Sequence, residues 1–206
     1  MMTPAMIFTV FFITLGPIKI LGPFARQTHG LDDVVVRQIA VRAFLMATIS
    51  AIAGGFLGAM LMVNWRISLG AMVLAGGLVF LLVAIRQLLD QYEPQASPGG
   101  APALPAEPTA AAVKLLFPVV LTPFGIAAVI VLIGGSADSV PTVVVVGILV
   151  GVMLLNLVAM LFARRILAGI GIIVLQILGG VLGMLQAGLA VQIILRGLKD
   201  LNLISY

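Results

Sequence analysis

The chain has 206 residues, 62% apolar and only 9% charged, with a mean hydropathy of +1.28. That balance excludes an ordinary soluble domain, and the absence of cysteine excludes disulfides, thiolate metal sites and thiol relays. The formal charge of +4 would suit an anionic partner, but the positions of the basic residues give it a different meaning.

A membrane-crossing helix needs about 20 apolar residues, and six segments qualify. The first, Ala5–Phe24, is interrupted by Thr14-Leu15-Gly16-Pro17-Ile18-Lys19, with Pro23 six residues after Pro17. A proline inside a helix removes a backbone hydrogen bond and clashes with the preceding turn, at about 3 kcal/mol. In hydrocarbon the freed carbonyls find no water, so such a break persists only against protein or an aqueous cavity. No Lys or Arg precedes Lys19 and no small-residue cleavage site is evident, so a retained helix is expected rather than a secretory signal. Lys19 is the one charge well inside a span. Near the bilayer centre it would cost about 2.5–3.5 kcal/mol, which marks function by default; the alternative is that it snorkels to an interface. His29, with Asp32 and Asp33, reads as a solvated loop residue.

The second and third spans are Val41–Val63 and Ile67–Leu89, with Trp65 and Tyr92 as interfacial anchors. Gly54 and Gly58 sit at helical spacing in the second, as Gly147 and Gly151 do in the fifth and Gly179 and Gly183 in the sixth. Such pairs let helices approach closely, and intramolecular packing is the expected use. Thr48 and Ser50 are weaker polar candidates, since hydroxyls readily bond their own helix. Residues 93–112 form a Pro/Ala-rich linker, with Pro94, Pro98, Pro102, Pro105 and Pro108 beside Gly99 and Gly100.

The fourth span, Val113–Gly134, is broken again at Thr122-Pro123-Phe124-Gly125, with Pro118 five residues earlier. The fifth and sixth are Val140–Phe162 and Gly171–Leu195, and they carry Asn156, Gln176, Gln186 and Gln192. Ala75-Gly76-Gly77-Leu78 resembles Leu178-Gly179-Gly180-Val181, and the Pro-to-Gly spacing is 59 residues in one half and 56 in the other. The expectation is therefore a single all-α membrane domain over 1–206. Three-helix repeats over 5–92 and 113–198 would be inverted relative to each other, with the first and fourth helices broken at proline.

Seven basic residues (Arg26, Arg37, Arg42, Arg86, Lys114, Arg164 and Arg165) fall on one side of the six spans and three (Arg66, Arg196 and Lys199) on the other. The richer side should be cytoplasmic, with both termini outside. The basic residues thus set orientation, and no nucleic-acid role is required.

All seven acidic residues lie in loops or at helix ends. That argues against a carboxylate proton relay and against a divalent-cation path. There is no nucleophile motif, His pair or carboxylate dyad within a span, so no enzyme activity, resident metal or cofactor is expected. What remains is a small polar set. Thr14, Gly16, Pro17 and Lys19 would face Thr122, Pro123 and Gly125 across a cavity, with Gly76, Gly77, Asn156 and Gln192 nearby. Broken helices present free amides and dipoles to a solute, and the few polar groups suit a small neutral or zwitterionic one.

These residues resemble the MarC family, also called the neutral amino acid transporter family, of the broader LysE-type superfamily. The resemblance rests on Pro17-Ile18, on Ile67-Ser68 followed by Ala75-Gly76-Gly77-Leu78, on Pro118 with Pro123-Phe124-Gly125, and on Ala190-Val191-Gln192-Ile193-Ile194-Leu195-Arg196-Gly197-Leu198. It implies a bacterial or archaeal inner-membrane protein linked to transport of small neutral amino acids. Gly16 stands where the family usually has Asn, Lys19 where it has Gly, and the full Gly-Pro-Gly of the fourth helix is missing. If that Asn helps to bind a coupling Na⁺, the Lys19 ammonium could stand in for the ion. The expected function is a secondary transporter or exporter of a small solute, working by alternating access in the lipid bilayer. Homo-oligomerisation is left open. The alternative is a non-transporting membrane subunit packed within a larger complex.

Overall fold

In the computed structural model residues 3–89, 107–135, 140–170 and 172–204 are described, and all their regular structure is helical. Helix α1 (Pro4–Leu15) starts with Pro4 in its first turn and Thr3 as its cap, the Thr3 hydroxyl accepting from the Met6 amide at 3.3 Å. It stops at Gly16, which is extended (φ −74°, ψ 170°) because a following proline disfavours helical backbone. Pro17 then opens α2 (Pro17–Gln27), which carries Pro23 inside it.

Past a turn at Gly30 (φ +81°), Asp32 caps α3 (Asp33–Asn64). This helix begins eight residues before the expected Val41. Hydropathy marks only the apolar part, whereas the cap and the turns carrying Asp33, Arg37 and Gln38 extend the same helix. Helix α4 (Leu69–Leu89) follows, with the Ser68 hydroxyl accepting from the Ala71 amide at 3.2 Å.

The fourth apolar segment is broken more deeply than its prolines alone suggest. Helix α5 (Pro108–Leu115) runs into a π-helical turn, Leu116–Val120, within which Phe117 is extended (φ −131°, ψ 130°). Leu121 and Thr122 are also extended before α6 (Pro123–Gly134) begins. Most of the expected linker falls outside the described residues, as do Tyr92 and Asp138. Its last part, 108–112, is the start of α5, with Ala111 and Ala112 buried. Helices α7 (Thr142–Ile170) and α8 (Ile172–Asp200) complete the chain, both running beyond the expected apolar limits.

Among the described residues four helical stretches are long and apolar enough to cross a membrane: Pro4–Ala25, Asp33–Asn64, Leu69–Arg86 and Thr142–Gly169. Pro123–Gly134 is a shorter apolar helix. Helices α1 and α2 lie along α7, α5 and α6 lie along α3, and α4 packs along α8.

The core is built where small residues admit large ones. Ala40, Ala43, Ala47 and Ala51 recur on one face of α3 and are buried together with Phe11, Leu15, Leu115, Leu149 and Met153. A Cβ at Gly58 would lie 2.5 Å from the Ile130 side chain, so this glycine does seat a neighbouring helix, whereas Gly54, Gly147 and Gly151 have nothing within 4 Å. Among the described residues the 147/151 pair therefore meets no neighbouring helix. Gly179 and Gln176 lie among residues whose side chains are not described. Much of the surface is apolar, with Val143 82% and Leu82 69% exposed.

The helix ends sort into two groups. At one end Arg164 of α7 reaches the α2–α3 loop and Arg42 of α3 reaches Thr109 of α5. At the other end Gly70 approaches Asp200 and Leu201, and Gly135 approaches Leu69.

Candidate functional site

The last four carbonyls of a helix have no partner within it, and α1 ends in the interior, with Thr14 and Leu15 both buried. Two of its stranded carbonyls are claimed by residues from the far half of the chain. The Thr122 hydroxyl donates to the Thr14 carbonyl at 3.2 Å, and the Asn156 amide donates to the Leu15 carbonyl at 2.5 Å. Thr122 also accepts from the Gly125 amide at 3.0 Å, capping α6. One hydroxyl thus closes the second break on itself and fastens it to the first.

Glycine stands at both breaks, at Gly16 for room against its own preceding turn and at Gly125 for room under the Leu15 side chain. A Cβ on Gly16 would collide with the Phe12 carbonyl, and one on Gly125 would fall 2.8 Å from Leu15 Cγ and 2.9 Å from Thr122 Oγ1. Leu15 fills the hollow above Gly125. The two breaks therefore touch, and the cavity expected between them is occupied by Leu15 and the Thr122–Thr14 link.

A cavity of about 90 Å³ lies on the other side of the first break, between it and α8, lined by Phe12, Ile13, Gly16, Ile18, Lys19, Leu185 and Gln186. The Lys19 ammonium is 5.4 Å from the centre of the Phe80 ring, within reach of a cation–π attraction. Phe80 in turn stacks on Phe124, with centroids 3.9 Å apart and planes 8° from parallel. Phe124 follows Pro123 directly, so a Lys19–Phe80–Phe124 ladder links the first turns of α2 and α6 through α4.

The structure thus brings together Thr14, Gly16, Pro17, Lys19, Thr122, Pro123, Gly125 and Asn156. Gly76 is adjacent, a Cβ there lying 3.8 Å from the Phe124 ring. Gly77 serves the α4–α8 seam instead, where Ile194 would be 2.8 Å from its Cβ. Gln192 is exposed on α8 and takes no part; its place near the sequence motif at the chain end said nothing about which way it faces.

Gln186, Phe80 and Phe124 are site residues that the sequence reading undervalued. The available signal was helical register, since Phe80 is four residues beyond Gly76. Two acceptor oxygens at the site have no partner among the described residues: Asn156 Oδ1 and Gln186 Oε1, on residues 1% and 6% exposed. Among the described residues no group of three or more His, Cys, Asp or Glu could hold a metal ion.

Arg164 was read only as an orientation charge. It pairs with Asp33 at 2.7 Å and donates to the carbonyls of Thr28 and Leu31, also at 2.7 Å. It thereby fixes the loop after α2 onto α7. With Asp33 90% exposed, the ion pair itself adds no more than about 1 kcal/mol, and the two carbonyl bonds define the loop's position.

Compared with known proteins, residues 3–202 match the family model described as MarC family integral membrane protein. No curated protein and no solved structure matches the chain.

Proposed function

The chain belongs to the MarC family of integral membrane proteins, and on that premise we propose that it is a secondary transporter or exporter of a small neutral or zwitterionic solute, such as a small amino acid, in the inner membrane of a bacterium or archaeon. The observation that carries this reading is the junction of the two breaks. Both hydrogen bonds that satisfy the end of α1 come from the second half of the chain, and matched broken helices meeting at a repeat interface are the architecture of transporter sites.

Helix packing supports two inverted three-helix sets. The broken pair α1–α2 lies along α7 as the broken pair α5–α6 lies along α3, and the third helix of each set, α4 and α8, pairs with the other. Exchange of partners between halves is what a pseudo-twofold axis in the membrane plane would generate. The grouping of the α2–α3 loop, the start of α5 and the end of α7 at one end fits six crossings. The excess of basic residues makes that end cytoplasmic and leaves both termini outside.

In alternating access one set rocks against the other. The contacts that must part are then Thr122 with Thr14, Leu15 with Gly125, and Asn156 with the Leu15 carbonyl. Opening there would expose free carbonyls and the α6 N-terminus to a solute, with Lys19 at the edge of the path.

The test is counterflow in proteoliposomes with a panel of labelled small neutral and zwitterionic solutes, glycine and alanine included. Exchange of at least one above protein-free vesicles is expected. A folded, reconstituted protein that exchanges none overturns the reading and favours a non-transporting subunit.

A further inference from the structure

The first turns of α3 carry a pair of arginines around an apolar line. Helical register places Val34, Gln38, Val41 and Leu45 along one face, with Arg37 on one flank of that line and Arg42 on the other. Both arginines nonetheless line a single hollow of about 370 Å³, together with Val34, Gln38 and Val41, and all five residues are exposed. Beyond the hollow the same face continues through Leu45 and Ile49, which are 49% and 66% exposed. A charged clamp thus stands directly above an open apolar stripe.

The clamp has no anion of its own in the protein. Among the described residues neither Arg37 nor Arg42 pairs with a carboxylate, and Asp33, one turn before Arg37, is taken by Arg164. Arg42 donates through Nη1 to the Thr109 hydroxyl. A guanidinium has five N–H donors, so that bond anchors the side chain and leaves other donors for a ligand. The planar donor fork of arginine matches phosphate oxygens, and an exposed Val/Leu/Ile stripe suits an acyl chain. An anionic phospholipid carries both groups in one molecule. A zwitterionic lipid brings a cation beside its phosphate, which two arginines repel.

We propose that the Arg37–Arg42 hollow is a binding site for one anionic phospholipid, its phosphate between the two guanidinium groups and an acyl chain along Val41, Leu45 and Ile49. Thr109 lies in the first turn of α5, so a phosphate held by Arg42 also braces the seam between α3 and α5, beside the second broken segment. The inference requires only that the chain sits in a bilayer, and it does not depend on transport.

The test is native mass spectrometry of the purified, delipidated full chain, titrated in detergent with phosphatidylglycerol or phosphatidylcholine of the same acyl chains. Phosphatidylglycerol is expected to bind at least tenfold more tightly. That preference should vanish in the Arg37→Gln/Arg42→Gln double variant. It should persist in Arg165→Gln, which removes an exposed charge next to Arg164 at the same end of the fold. Equal binding of the two lipids by the unmodified protein overturns the proposal. So does a loss in Arg165→Gln as large as in the double variant, which would mark a diffuse field in place of a site. Should the double variant fail to fold for want of the Thr109 bond, Arg37→Gln decides alone, because Arg37 makes no hydrogen bond or ion pair among the described residues. An undiminished preference in that variant overturns the proposal, as does displacement of the lipid by millimolar inorganic phosphate.

Discussion

Asn156 is buried among apolar side chains and donates to a carbonyl that belongs to no helix ladder. Replacing it by leucine keeps the volume and strands the Leu15 carbonyl, a loss of about 1–3 kcal/mol that chemical unfolding in mixed micelles would measure. An Asn156→Leu protein as stable as the parent would show that the carbonyl finds another donor. Lys19 differs in kind, since its charge is a burden on folding and has no carboxylate partner among the described contacts. Lys19→Met should leave the protein folded and abolish solute uptake, whereas retained uptake would assign Lys19 to snorkelling. Both residues could be picked out from sequence because a polar group in an apolar span must be explained. Their partners could not. Leu15 offers only its backbone, and nothing in a leucine announces a stranded carbonyl.

Among the elements, the broken helices were the most legible feature and the long ones the least. Pro17 and Pro123 each end one helix and start another for local reasons, so the breaks follow from chain chemistry alone. The π-helical turn at Leu116–Val120 was not foreseen, because Pro118 signals that a ladder fails and not how the chain recovers. The start of α3 was missed because its first turns are held by the Asp32 cap and carry charge. Thr122 and Ser68 provide a comparison between caps. Both hydroxyls accept from the amide three residues on, but only Thr122 also donates across the fold to Thr14. Thr122→Ala should therefore cost about 2 kcal/mol and Ser68→Ala, at an exposed helix start, about 0.5–1 kcal/mol. Equal losses in thermal unfolding would mean that the cross-link between the breaks contributes nothing.

At the scale of the molecule, apolar composition carries the membrane assignment, and two matched interruptions carry the proposal of two related halves. How the halves meet is a property of the packed structure. Leu15 on Gly125, Lys19 over Phe80 and Phe80 on Phe124 each join residues far apart in sequence, and no periodicity encodes them. The charge distribution of the whole chain bears on energy coupling. Among the described residues the acidic ones, Asp32, Asp33, Glu107 and Asp200, lie at helix ends, and the ionisable group beside the first break is a cation, so replacing Na⁺ by K⁺ or choline should leave uptake unchanged. Strict Na⁺ dependence, measured in the same vesicles, would contradict this electrostatic account.

The central claim is that the contact of the two breaks is the moving part of a solute path. Gly125 lies at that contact, under Leu15, while Gly147 faces open space on α7. Counterflow by Gly125→Leu and Gly147→Leu proteins, each confirmed as folded, separates a working junction from a structural one. The account predicts exchange lost in Gly125→Leu and retained in Gly147→Leu; full exchange by Gly125→Leu would contradict it.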